Sequence, residues 1–174
     1  GGFQTALSAF VGQNYGAKKW DRIYKGYFTA LGIIAAIGMI TSSLLIFFPE
    51  QIFSIFIREQ EVIKEGIVYL RILGVSQLFM CIEITTAGAF NGIGKTVPPS
   101  IVGIVFNAMR IPGALLLSVA LGLNGVWWSI SLSSVLKGII LTSWFILLLR
   151  SHPEIRGSKL IDFGKLIKRV EIDG

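Results

Sequence analysis

Residues 26–48 read GYFTALGIIAAIGMITSSLLIFF and end against Pro49. No Asp, Glu, Lys or Arg interrupts this run of about 23 residues, which as a helix rising about 1.5 Å per residue extends about 35 Å. The hydrocarbon core of a bilayer is about 30 Å thick, so the run can cross it. A buried helix in a soluble domain of this size has no need of such unbroken apolarity. Three more apolar stretches of similar length follow, so the fold class is all-α transmembrane: a helical bundle of about four complete spans plus one partial span.

Composition agrees. The chain is 53% hydrophobic and 15% charged, with mean hydropathy +0.71, whereas a soluble domain carries about 25% charged residues. The net charge is +6. The basic residues gather at the ends of spans, so the charge speaks of membrane topology and not of nucleic acid. Cys81, the one cysteine, lies inside an apolar span; it has no internal disulfide partner and makes no metal site. No basic leader precedes the first apolar residues and no initiator Met is present, so the chain reads as a piece of a longer protein.

The partial span covers residues 1–12 (GGFQTALSAFVG), and a basic connector, QNYGAKKWDRIYK, follows it. Residues 49–65 (PEQIFSIFIREQEVIKE) mix apolar and acidic side chains and are expected to lie along the outer interface as a short helix. Further spans are expected at about residues 66–90, 100–121 and 126–149, joined by the turns NGIGKTVPP and GLNG. Trp127 and Trp128 suit an aromatic belt at the outer edge. Lys18, Lys19, Arg22 and Lys25 of the first connector, Lys95 of the next inner turn and the basic tail place those segments in the cytoplasm; the other connectors carry only Arg58 and Lys64. Residues 1–150 thus form the bundle and residues 151–174 a basic cytoplasmic tail, within which LIDFGKLIKRV could lie on anionic lipid as an amphipathic helix. His152, beside Pro153, is expected to be solvated.

Four ionisable residues fall inside spans: Arg71, Glu83, Arg110 and Lys137. Each costs about 2.5–3.5 kcal/mol at the bilayer centre, so each needs a partner or water. Arg71 is near enough to the outer end to snorkel as an anchor. Glu83, Arg110 and Lys137 lie about 14, 15 and 18 Å from the inner ends of three successive helices, and so share one layer near the midplane. Tyr69, Ser76, Glu83 and Thr86 fall on one helical face. Asn107 precedes Arg110 by a turn, Ser133 and Ser134 precede Lys137, and Pro112 frees a backbone carbonyl near Arg110. Broken helix geometry at this depth is common at transporter sites. The candidate substrate or ion site is therefore Glu83, Arg110, Lys137, Asn107, Ser76 and Thr86, with Arg110 the expected partner of Glu83. The alternative is a buried charge cluster that only pins helix packing. The GxxxG spacing of Gly88 and Gly92 points to close helix packing. No HExxH, GxSxG or CxxC is present, so nothing suggests an enzyme.

Two segments carry a family resemblance. TALSAFVGQNYGAKKWDRIYKG (residues 5–26) resembles the stretch after an even-numbered helix of MATE (multidrug and toxic compound extrusion) transporters. AGAFNGIGKTVPPSIVGIVFNAMRIPGALLL (residues 87–117) resembles their tenth helix, inner turn and eleventh helix. The resemblance implies the end of the second lobe, from part of helix eight to helix twelve, of a twelve-helix fold with two pseudo-symmetric lobes. It implies a multi-pass protein of the inner (plasma) membrane with a cytoplasmic C-terminus. The implied activity is antiport: export of drugs or other small organic molecules against Na+ or H+, with no cofactor beyond that coupling ion. The implied partners are the lipid bilayer, the small-molecule substrate and the missing N-terminal lobe. The acid that cation-coupled members carry in helix ten falls at Met80, one turn before Glu83. Two other readings remain: a flippase for a lipid-linked oligosaccharide or cell-wall precursor of the same superfamily, which the basic Arg110 and Lys137 would suit, and a non-transporting membrane scaffold subunit.

Overall fold

The computed structural model describes residues 1–56 and 59–153. Six helices follow in order: α1 (Gly2–Gly16), α2 (Trp20–Phe47), α3 (Pro49–Ser54), α4 (Gln60–Gly92), α5 (Val97–Leu121) and α6 (Leu123–Ser151). Of these, α2, α4, α5 and α6 are long and apolar enough to cross a membrane, and α1, with 15 residues, falls short of the ~20 needed. The expected amphipathic helix of the tail lies outside the described residues.

The expected boundaries need one correction. The outer segment is not a single interfacial helix: Pro49 at the first position opens the short α3, but the polar Gln60, Glu61, Lys64 and Glu65 already belong to α4. Charged side chains are good helix formers once an apolar span downstream has supplied the costly first turn. At the other end of α4 the chain reverses through Gly94, at φ 74°, and between α5 and α6 through Gly122, at φ 60°. Both need left-handed backbone that glycine adopts without steric cost.

The bundle is organised around α4, which packs on α1, α2 and α6; α5 packs on α6 and barely touches α4. Two glycines set the α1–α4 approach. A Cβ on Gly88 would lie 2.7 Å from the Gln4 carbonyl oxygen, and one on Gly92 2.7 Å from that of Ser8. The GxxxG pair thus does what its spacing predicts, bringing backbone against backbone.

The core gathers between α1, α2, α4 and α6. The Tyr27 ring stands 4.6 Å from that of Phe145, which stands 4.8 Å from Phe90, and all three are buried. At that end of the bundle His152 is not solvated as expected. Its ring stacks on Trp20 at 3.8 Å with 23° between planes, because the start of α2 and the end of α6 meet there and the indole offers a flat face.

Candidate functional site

A register of small and hydroxyl residues draws α6 onto α4. Ser131 Oγ donates to the Ile72 carbonyl at 3.0 Å. Seven residues further along both helices, a Cβ on Gly138 would lie 2.7 Å from the Phe79 carbonyl oxygen. Equal spacing on both helices means that they run parallel, in near backbone contact over about two turns. Ser76 sits within this contact, 1% exposed, its hydroxyl donating to the Leu73 carbonyl at 3.1 Å. At the far end Thr86, fully buried, meets Tyr27 Oη at 2.9 Å and Thr142 Oγ1 at 3.2 Å while donating to the Ile82 carbonyl. That arrangement ties α2, α4 and α6 through one hydroxyl cluster.

Between these anchors lies the acid. Lys137 Nζ stands 3.0 Å from Glu83 Oε1, with the side chains 8% and 18% exposed. The sequence pointed to Arg110 as the partner of Glu83, and the packing corrects that. Because α6 lies between α4 and α5, its own Lys137 reaches the acid first. Arg110 instead donates from Nε to Ser133 Oγ and from Nη2 to Ser134 Oγ, the latter at 3.0 Å. Ser129 Oγ donates to the Arg110 carbonyl at 3.2 Å, and a Cβ on Gly113 would meet that same hydroxyl at 2.8 Å. Serines on α6 thus hold both ends of Arg110, next to Pro112 and the backbone disturbance that proline brings. Ser133 and Ser134 precede Lys137 by one turn, about 5 Å along α6, so the three charges share a layer as expected.

Two expected residues do not join them. Asn107 is exposed on α5 and its side chain makes no hydrogen bond among the described residues. Tyr69, near the other end of α4, is exposed with its ring 5.5 Å from Trp127. Arg71, twelve residues into α4, is exposed. Tyr27, Thr142, Ser129, Ser131 and Gly138 were not singled out in the sequence. Their signal was present: hydroxyls inside apolar runs, and a glycine beside a deep lysine.

The MatE family model matches residues 1–116. The chain belongs to the MatE family. Its MatE relatives include a probable multidrug resistance protein NorM of Thermotoga maritima, 29% identical over 130 residues, covering 72% of this chain and 28% of that protein. Multidrug and toxin extrusion protein 1 of Homo sapiens is 27% identical over 148 residues, covering 83% of this chain and 26% of that protein. The solved inward-facing conformation of a multidrug resistance MATE family transporter of the MOP superfamily superposes with a TM-score of 0.77 at 23% identity, over 85% of this chain and 35% of its own. That likeness shows the fold. The chain spans between a quarter and about a third of the length of these relatives.

Proposed function

We propose that this chain is the C-terminal lobe of a MatE antiporter that exports drugs or other small organic molecules in exchange for Na+ or H+. The inner connector after α1, the turn after α4 and the C-terminus face the cytoplasm in this reading, since Lys18, Lys19, Arg22, Lys25 and Lys95 lie on that side. The observation that carries the proposal is the Glu83–Lys137 pair, 3.0 Å long and largely shielded, at mid-depth between two parallel helices.

A coupling ion has a direct effect on such a pair. A proton on Glu83, or a sodium ion bound to it, cancels the charge that Lys137 faces. Lys137 is then an ammonium in a site where it is only 8% exposed, with no second carboxylate within ion-pair reach among the described residues. Removing one member of a buried pair costs about 3–5 kcal/mol. Taking a two-state equilibrium from 1:99 to 99:1 needs about 5.5 kcal/mol, so loss of this pair is of the right size to bias one packing of α6 on α4 over another. Ion binding from the outer side would then favour substrate release to that same side.

The test is Glu83→Gln in the full-length protein. Ion-driven export should be lost while membrane insertion is unchanged. Normal gradient-driven export by that variant rejects the role. The flippase reading draws support from Arg110, whose charge no carboxylate meets among the described residues. Rescue of a glycan-assembly defect in place of drug resistance would favour it.

A further inference from the structure

The layer does not balance. Glu83 and Lys137 neutralise each other, and Arg110 adds a positive charge that no acid answers among the described residues. The guanidinium has five N–H groups in a rigid fork. Serine oxygens on α6 take one N–H at Nε and one at Nη2. That leaves the two hydrogens of Nη1 and the second of Nη2, on the edge of the fork next to the one the serines hold. The residue is only half-buried, so α5 and α6 do not enclose it. Meanwhile Ser133 and Ser134 are 7% and 4% exposed, and Ser133 is itself fixed by donating to the Ile130 carbonyl at 2.9 Å. The serines orient the fork and cannot neutralise it, because a neutral hydroxyl oxygen carries no countercharge.

We infer that Arg110 is an anion-binding site, and that it selects small-molecule substrates carrying a carboxylate over otherwise identical molecules that lack one. Nη1 and Nη2 present two roughly parallel N–H groups, the geometry that a carboxylate accepts in bidentate fashion. A lysine at this place would offer only a point charge. Docking of a carboxylate would also relieve the layer of its excess charge, which at membrane depth is costly unless answered. Zwitterionic substrates fit better here than plain organic cations, which Arg110 repels. The inference rests on the reading above that this layer lines a transport cleft, and extends it to the chemistry of the cargo.

Rhodamine B, which carries a free carboxylate, and its methyl ester provide the probe pair. Binding of each to the purified full-length protein is measured by fluorescence anisotropy at equilibrium, with no ion gradient. The free acid should bind about tenfold or more tightly, the range that charge-assisted hydrogen bonds to one carboxylate supply. Benzoate in excess should displace the acid and leave the ester in place. Arg110→Gln should erase the preference by weakening the acid alone, and Arg110→Lys should keep part of it. Equal affinities for the two dyes, binding of neither, or equal weakening of both by Arg110→Gln overturns the inference. An acid from the other lobe already seated on Arg110 would give the first of these results. Because no gradient is applied, failure of the coupling role of Glu83 does not alter this readout.

Discussion

Replacing Lys137 by Met exposes what the charge pair does for the lobe. At 3.0 Å and an effective dielectric of about 20, two unit charges attract by about 5–6 kcal/mol before the cost of drying them is subtracted. Lys137→Met leaves Glu83 ionised, 18% exposed and without its cation, so a loss of about 3–5 kcal/mol is expected. Glu83→Leu should cost at least as much, because the remaining ammonium is the more deeply shielded of the two. The double variant, Glu83→Leu with Lys137→Met, carries no buried charge at this point. It should lie within about 1 kcal/mol of the parent, since apolar replacements of whole buried pairs are often neutral or stabilising. The coupling energy from the cycle is then about 5 kcal/mol or more in magnitude. Unfolding of the full-length protein by SDS in mixed micelles, followed by tryptophan fluorescence, supplies all four stabilities. A double variant as unstable as the sum of the singles refutes the reasoning, because the two side chains would then not be acting on each other. Losses under about 1 kcal/mol in each single variant would equally mean a wetted pair of the kind found on protein surfaces.

Three shorter predictions concern the frame that holds the pair. Gly138→Ala puts a methyl group 2.7 Å from the Phe79 carbonyl oxygen, where backbone must yield; a loss of about 1–3 kcal/mol is expected in the same unfolding assay. Tyr27→Phe removes one bond to Thr86, which keeps its contacts with Ile82 and Thr142, so a cost near 0.6–1.5 kcal/mol is expected, and a loss above about 3 would mean the hydroxyl holds more than this cluster. Lys18→Cys, in a Cys81→Ala background, should react with a membrane-impermeant maleimide in inverted vesicles and not in intact cells; the reverse pattern would invert the topology.

The long elements were legible because each is a long apolar run bounded by Pro49, Gly94 or Gly122, and length alone distinguishes a crossing helix from a buried one. The start of α4 was not, since Gln60, Glu61, Lys64 and Glu65 read as surface whether they lie along an interface or prolong a helix. On α4, helical phase placed Ser76, Glu83 and Thr86 on the face that meets α6. The pairing was misread because one sequence gives the depth of each charge but not the lateral order of the helices. Knowing that Glu83, Arg110 and Lys137 share a level leaves open which pair touches; the placement of α6 between its neighbours decides it. Asn107 stands apart from the seam for a related reason. It lies one turn from Arg110, yet a three-residue step rotates about 60° short of a full circle, enough to turn its side chain off the α6 seam. His152 was misread because stacking on Trp20 joins residues more than a hundred positions apart.

The manner in which α5 is attached has a mechanical corollary. No residue of its most apolar stretch is buried in the bundle, and its polar fastening to α6 runs through serine hydroxyls, Gly113 and the Gly122 reversal, while Val102 nearer its start joins the core. An element held like a door leaf along a single post can swing while exchanging one greasy neighbour for another, at small net expense in solvation. The bolt on that door is a cationic latch, so whatever binds the latch also governs the swing.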